Sequence, residues 1–178
     1  MLEAGLDAIR AAPRDEGVLR LIVRRPAVDA REVLEAGELD DAHGLIGDSW
    51  RSRSHPRRGG APPDPDTQLN VMSARAIALI AQDEARWRLA GDQLFVDLDL
   101  SETNLPAGTQ LAIGSAVIEV TPEPHTGCAK FVGRFGVDAM KFVNSPEGRR
   151  LRLRGLNARV VRNGTVRVGD AVRKLPRR

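Results

Sequence analysis

The sequence predicts a mainly β, β-rich α+β fold: a closed or partly closed barrel with a few peripheral helices. Most of its periodic segments are short and alternate apolar with polar residues, as strands do. Glycine and proline separate these segments, and few stretches have helical period. A barrel is expected because closing the sheet removes its exposed edges. The length of 178 residues, 42% of them hydrophobic, predicts a single domain with its core at about 17–172.

The strand predictions follow the chain from its N-terminal part to its end. Residues 94–100 alternate most regularly, with leucine and valine at every second position. An Asn163-Gly164 pair between two apolar runs is typical of a two-residue hairpin turn. The predicted strands are 18–25, 94–100, 111–113, 116–120, 158–162 and 165–168, the last two forming the hairpin.

Two segments predict helices, and a third predicts a long loop. Ser73 can cap a helix over 74–81. Residues 128–143 place a cysteine and three phenylalanines on one face, with Arg134 and Asp138 spaced for an ion pair on the other. Arginine, glycine and proline fill residues 51–70, and loops of this length are commonly functional or mobile.

Composition excludes several classes of protein. No run approaches 18 apolar residues, which argues against a membrane span, and the N-terminus lacks the apolar stretch of a secretory signal. A single cysteine excludes an intrachain disulfide and a zinc cage of paired cysteines, which favours a reducing, cytoplasmic setting. The part after Cys128 holds 14 of the 27 Lys and Arg residues but 3 of the 24 Asp and Glu residues. This basic part predicts a small anionic ligand or cofactor as partner, unless the two parts of the chain neutralise each other.

The segment 121–131 contains the candidate reactive residues. It leads from a predicted strand through two prolines to Gly127 and Cys128, which begin the phenylalanine-rich helix. A helix N-terminus and the nearby His125 and Lys130 favour a thiolate, which is both a nucleophile and a soft metal ligand. The alternative is that Cys128 is a small buried residue on the apolar face of the helix, with His125 a packing or capping residue.

The sequence resembles the MOSC domain, the C-terminal domain of molybdenum-cofactor sulfurases that also occurs as small free-standing proteins. The resemblance covers most of residues 17–172. It rests on 44–48 (Gly-Leu-Ile-Gly-Asp), 93–97, 108–114, 116–121, Gly127-Cys128 and the closing segment from Arg154 to Asp170. Ser49-Trp50 stand where the family often has a basic residue and a histidine, and the chain is too short for the additional N-terminal domain of the amidoxime-reducing relatives.

The resemblance implies a MOSC-type β-barrel, binding of the molybdenum cofactor and sulfur handling. Cys128 takes the position of the family's cysteine, as sulfur carrier or as thiolate ligand of molybdenum, with His125 the second catalytic candidate. A sulfur-donor or redox protein is then a further partner. Because the cofactor carries a phosphate, Arg51, Arg53, Lys130 and Arg134 are candidate phosphate contacts, with Arg57 and Arg58 on the same loop as the first two.

Two other functions stay open at this point. A zinc-dependent hydrolase or lyase would use Cys128 and His125, with His43 or His55 as third ligand. A non-enzymatic module for anions or nucleic acid is suggested by a run of six arginines between 149 and 162. Nucleic acid is the weaker candidate, because 3% aromatic residues provide few platforms for base stacking.

Overall fold

The computed structural model describes residues 2–52 and 61–177. This part of the chain contains eleven strands and four α-helices. The strands are β1 (Glu16–Arg24), β2 (Glu32–Leu34), β3 (Ala36–Asp40), β4 (Gly44–Leu45), β5 (Leu69–Ser73), β6 (Leu94–Asp97), β7 (Gln110–Ile113), β8 (Ala116–Val120), β9 (Leu156–Arg162), β10 (Gly164–Arg167) and β11 (Ala171–Lys174). The helices are α1 (Leu6–Arg10), α2 (Ala74–Ala81), α3 (Ala129–Asn144) and α4 (Pro146–Arg150), and 3-10 helices occupy Glu3–Gly5, Pro65–Thr67 and Glu84–Ala90.

Seven strands form a closed barrel, which confirms the predicted fold class. Their order is β11-β7-β8-β9-β5-β6-β1, and β11 also pairs with β1 and closes the sheet. The β5–β6 pairing is parallel, whereas the other barrel pairings are antiparallel. The predicted β7–β8 turn is present, with Gly114 at a positive φ of 54° that favours glycine.

A second sheet, in the order β10-β3-β4, lies beside the barrel, and it overturns the predicted hairpin. β9 pairs with β5 and β8, whereas β10 leaves it and pairs with β3. Asn163 donates to the Asp40 carboxylate (3.1 Å), and its own side-chain oxygen accepts from the Asp41 amide (2.8 Å). The Asn-Gly pair therefore carries the chain from one sheet to the other instead of reversing it.

The protein has two adjoining hydrophobic cores. One fills the barrel with side chains such as Leu19, Leu94 and Leu111. The other lies between the outer surface of the barrel and the helices, and contains Phe95 and Phe131. Because β6 is buried on both faces, its alternating pattern predicted the strand but not the second core.

Helix α2 matches its prediction, since the Ser73 hydroxyl accepts from the Ala76 amide at its first turn. The predicted helix at 128–143 is present as α3, but Gly136 interrupts it with φ 88° and ψ 167°. Strands β2 to β5 and β11 were not predicted. β2 and β4 have only three and two residues, too few for an alternating pattern, whereas β5 begins at Leu69, inside the predicted loop 51–70. Among the described residues no helix is both long and apolar enough to cross a membrane.

Candidate functional site

The segment 121–128 is held in place by side chains from distant parts of the chain. Its bonds reach the 3-10 helix at Pro65–Thr67, the turn before β6, the end of α3 and β9. They run from Thr121 Oγ1 to the Asp66 carbonyl (2.6 Å), from Asn157 Nδ2 to the Glu123 and Pro124 carbonyls (3.1 and 3.3 Å), between His125 and Asp92 (3.0 Å), and from the Gly127 amide to Asn144 Oδ1 (3.0 Å). These bonds fix the backbone that presents the cysteine.

Cys128 is a free, exposed cysteine. It is the N-cap residue of α3, with an extended backbone (φ −128°, ψ 178°), and its carbonyl accepts from the amides of Phe131 and Val132. The interpretation of Cys128 as a buried core residue is therefore wrong. Gly127 packs closely on α3: a β-carbon there would lie 2.7 Å from the Met140 sulfur, so this side chain would have to move.

The break at Gly136 changes the contacts of Arg134 in α3. Arg134 was expected to pair with Asp138 one turn further on, but Gly136 lies between them and ends the regular helical spacing. Arg134 instead donates to the Leu89 carbonyl (2.7 Å) and lies 3.4 Å from the Asp29 carboxylate. The expected pair is thus replaced by a contact with the turn that precedes β6.

His125 belongs to a buried ionic network that the sequence did not reveal. Its Nε2 lies 3.0 Å from Oδ1 of Asp92, whose side chain is fully buried. The other carboxylate oxygen of Asp92 accepts from Nη1 of Arg154 (2.6 Å), and the guanidinium of Arg154 stacks 5.0 Å from the centre of the Phe131 ring. A histidine, an aspartate and an arginine from three distant positions therefore form one chain of contacts.

The charges of this network fix the protonation of His125. Burial opposes ionisation of Asp92, but Arg154 and His125 outweigh it, so the pKa of Asp92 lies below its usual value. Burial, followed by the positive charge of Arg154, lowers the pKa of His125. Near neutral pH the ring is neutral and Asp92 is a carboxylate, which can only accept. The ring therefore donates from Nε2, and Nδ1 keeps its lone pair.

Three arginines converge on the turn formed by Leu89, Ala90, Gly91 and Asp92, named here the 89–92 turn. Arg134 donates to the first carbonyl, Arg154 to the second (3.0 Å) and Arg25 to the third (3.0 Å). The turn ends a 3-10 helix, where backbone carbonyls lack helical partners and attract cations. It therefore joins β1, α3 and the segment before β9 at one end of the barrel.

Arg25 also connects this turn to the predicted Gly-x-x-Gly-Asp segment. Asp48 accepts from Nε and Nη2 of Arg25 (2.9 and 2.8 Å) and from the amides of Arg25 and Trp50. Burial alone would raise the pKa of Asp48. The hydrogen bonds and charge of Arg25 outweigh burial, so the pKa of Asp48 lies below its usual value. The role of this motif is thus to anchor a buried ion pair beside the 89–92 turn.

Arg31 is a cation without a carboxylate partner in the described structure. Its Nη1 donates to the Ala30 carbonyl (2.7 Å), while its Nε is buried and has no hydrogen-bond partner among the described residues. Nη2 of Arg31 and Nη1 of Arg134 both lie close to Gly91. Burial, and then the charges of Arg134 and Arg25, lower the pKa of Arg31. The 89–92 turn therefore carries an excess of positive charge.

The remaining predicted residues are not assembled with these. Arg51 donates to the Ala42 carbonyl (2.6 Å) and lines a different cavity, of about 570 Å³, with Trp50. Lys130 is exposed at the start of α3. Arg53, His55, Arg57 and Arg58 lie outside the described residues.

The histidines do not form a shared metal site in the described structure. His43 lies at the turn between β3 and β4, where its Nδ1 contacts Asp40 (2.8 Å), whereas His125 contacts Asp92. Within residues 2–52 and 61–177 no three His, Cys, Asp or Glu side chains are grouped so as to hold a metal ion.

Comparison with known proteins agrees with the barrel fold. The sequence model of the MOSC domain matches residues 63–173, more than half of the chain. The chain belongs to the MOSC domain family. This match spans Cys128, His125, Asp92 and Arg154, and so confirms the resemblance inferred from the motifs. No protein of curated function matches the chain.

Solved structures share the fold. A hypothetical protein has a TM-score of 0.60 at 21% identity, over 96% of this chain and 71% of its own. YuaD from Bacillus subtilis has 0.59 at 17%, over 88% and 94%. YiiM from Escherichia coli has 0.59 at 20%, over 90% and 71%. At these identities the likeness establishes the MOSC fold alone.

Proposed function

We propose that Cys128 is a sulfur-carrying thiolate that serves the molybdenum cofactor. The observation that carries the proposal is that this cysteine is exposed and stands at the end of a loop fixed by four distant contacts. A carrier thiol has to be reached by both a donor and an acceptor, and exposure provides this access. The absence of a second cysteine in the sequence suits a reducing compartment such as the cytoplasm.

The transfer is an exchange between sulfur atoms. The Cys128 thiolate attacks the terminal sulfur of a persulfide on a donor protein or small thiol, and a new S–S bond forms as the donor S–S bond breaks. The donor leaves as a thiolate, and Cys128 holds the transferred sulfur as a persulfide. No external oxidant is consumed, because the transferred sulfur keeps its oxidation state.

A second role, as thiolate ligand of molybdenum, is favoured by the excess positive charge at the 89–92 turn. Arg31 and Arg134 offer guanidinium groups to an anion, and the buried Nε of Arg31 lacks a partner within the described residues. Guanidinium groups suit phosphate, and a thiolate suits molybdenum, so these residues fit the molybdenum cofactor. When bound, the cofactor would supply redox and sulfur chemistry that the side chains lack.

The test uses the single cysteine. Reduced protein is incubated anaerobically with a small-molecule persulfide and its intact mass is measured. We expect one added sulfur atom, removable by a reductant, in the wild type and none in Cys128→Ser. Lys141→Gln is the matched control, because it removes an exposed lysine charge further along α3 and leaves the thiol and its neighbours in place. Equal sulfur uptake by Cys128→Ser, or none by the wild type, would refute the sulfur-carrier role.

The ligand role is tested separately with purified molybdenum cofactor. Retention of molybdenum and pterin by the wild type, with loss in both Cys128→Ser and Arg134→Gln, supports ligation. Retention in both variants rules it out, and leaves the sulfur-uptake result unaffected.

A further inference from the structure

The loop between β1 and β2 holds an exposed carboxylate beside the 89–92 turn. Residues 26–29, named here the 26–29 loop, are all exposed, and Val28 is 82% exposed. Oδ1 of Asp29 lies 3.4 Å from Nη2 of Arg134 in α3, and the Asp29 side chain is 71% exposed. Among the described residues this is the one hydrogen bond or ion pair that joins the 26–29 loop to a distant part of the chain. The loop is thus held against α3 by a single exposed ion pair.

The 89–92 turn is surrounded by more positive than negative charge even with Asp29 in place. Two of its four arginines are paired with buried aspartates, as described above. The other two are Arg134, which pairs with Asp29, and Arg31, which pairs with no carboxylate in the described structure. Nη2 of Arg31 and Nη1 of Arg134 lie 3.2 and 3.7 Å from the point that a β-carbon on Gly91 would occupy, so they are within about 7 Å of each other. One carboxylate therefore serves two neighbouring guanidinium groups.

Asp29 compensates this charge only in part. Burial, Arg134 and Arg25 lower the pKa of Arg31 by more than the charge of Asp29 raises it, and the buried Nε of Arg31 has no partner among the described residues. A phosphate monoester carries between about 1.5 and 2 negative charges at neutral pH and has three acceptor oxygens, which guanidinium groups bind in pairs. Exposed ion pairs contribute little to stability, so the Asp29 contact is easily exchanged. A phosphate group is therefore a better partner for the two arginines than this carboxylate.

We propose that Asp29 is an internal competitor of the ligand's phosphate group. Its carboxylate pairs with Arg134 in the free protein, and it leaves, together with the 26–29 loop, when a phosphate monoester binds between Arg31 and Arg134. The inference rests on the anion-binding role proposed above for the 89–92 turn, and adds a residue that sets the affinity of that site. It does not involve sulfur transfer by Cys128.

The first test removes the charge of Asp29. Asparagine keeps the shape of the side chain and, like aspartate, tolerates the left-handed backbone at this position (φ 60°). Methyl phosphate, the simplest phosphate monoester, is titrated by calorimetry into the full chain at constant ionic strength and about pH 8, where it is a dianion. Asp29→Asn should bind it about two to five times more tightly than the wild type, as expected when an exposed ion pair no longer competes. Equal or weaker binding by this variant would overturn the inference.

Control variants separate competition from a general effect of charge. Asp7→Asn is the matched control, because it removes another exposed aspartate that pairs with an arginine, in this case Arg10 of α1 (3.1 Å). Its affinity for methyl phosphate should equal that of the wild type, and a gain as large as that of Asp29→Asn would contradict the proposal. Arg31→Gln and Arg134→Gln should each weaken binding about tenfold or more, as expected for the loss of a charged hydrogen bond.

The displacement itself is measured by nuclear magnetic resonance. In ¹⁵N-labelled protein, saturating methyl phosphate should lower the heteronuclear NOE of the Val28 and Asp29 amides toward the values in free Asp29→Asn. Unchanged values at saturation would mean that the loop stays in place, and would overturn the inference. If the two arginine variants bind methyl phosphate as the wild type does, the anion-binding role of the turn fails as well. If they lose binding while Asp29→Asn gains none, the internal competitor alone is refuted.

Discussion

Replacing Asp92 by asparagine tests the buried network at its centre. The substitution keeps the shape of the side chain but removes its charge. Arg154, whose side chain is 7% exposed, is then left buried without a counter-ion. Removing one partner of a buried ion pair typically costs about 3–5 kcal/mol. We expect a value near the lower end, about 3 kcal/mol, because the Ala90 carbonyl and the Phe131 ring still face the guanidinium.

The assay is urea unfolding followed by tryptophan fluorescence, supported by thermal melting. For a chain of this length a loss of that size corresponds to a lower melting temperature by about 6–12 °C. The double variant Asp92→Asn/Arg154→Met should be more stable than Asp92→Asn alone, because methionine removes the uncompensated charge. Asp15→Asn, which breaks the exposed pair with Lys174, is the control and should leave the unfolding midpoint almost unchanged.

Two results would refute this reasoning. A loss below about 1 kcal/mol for Asp92→Asn would mean that the pair is far better solvated than its burial implies. A double variant no more stable than Asp92→Asn would mean that the cost comes from lost packing or from His125, and not from the unpaired arginine.

Further predictions concern pH and the helix break. The pKa of His125 is lowered below 6.5 in the folded state, so the unfolded chain takes up a proton first as the pH falls. Stability should therefore decrease as the pH falls through about 6.5, with a further loss near pH 4 and below, where Asp92 is protonated in the unfolded chain before the folded one. Urea midpoints across this range measure the effect. A His125→Gln variant that loses the slope near pH 6.5 but keeps a loss near pH 4 would assign the first decrease to His125. In α3, Gly133→Ala should stabilise the protein by about 0.5–1 kcal/mol, because that position is helical and open. Gly136→Ala should destabilise it by about 1–3 kcal/mol, because its backbone angles are accessible almost only to glycine. Melting temperatures that move in the same direction for both variants would contradict the observed break.

Local signals in the sequence were sufficient for the fold class. The alternation in β6, the glycine turn between β7 and β8 and the serine cap of α2 depend on neighbouring residues. Each is present, although β6 ends at Asp97 and not at residue 100 as predicted. The pattern that singled out Cys128 and His125 is likewise local. The prediction of a hairpin at Asn163-Gly164 was wrong. Side-chain hydrogen bonds to Asp40 and Asp41, more than a hundred residues away, direct the chain to the second sheet instead.

The site residues that the sequence analysis missed are far apart in sequence. Asp92 and Arg154 are 62 positions apart, and His125 is 33 positions from Asp92, so no local pattern connects them. One signal was available: a charged residue two positions before the buried strand β6 has to be neutralised by a partner if it is buried as well. The sequence could therefore indicate that Asp92 needs a cation, but it could not identify which arginine supplies it.

The position of the cysteine depends on these long-range contacts more than on its own helix. After Cys128 the helix is regular only as far as Gly136, so α3 alone gives the thiol a short support. The 89–92 turn binds Arg134 from α3 and, through Asp92, His125 from the cysteine loop. Both sides of Cys128 are thus attached to the same turn, which is anchored to β1 by Arg25. Because these contacts reach the barrel itself, a buried polar network, costly though it is to desolvate, can hold an exposed thiol at a fixed place beside the barrel.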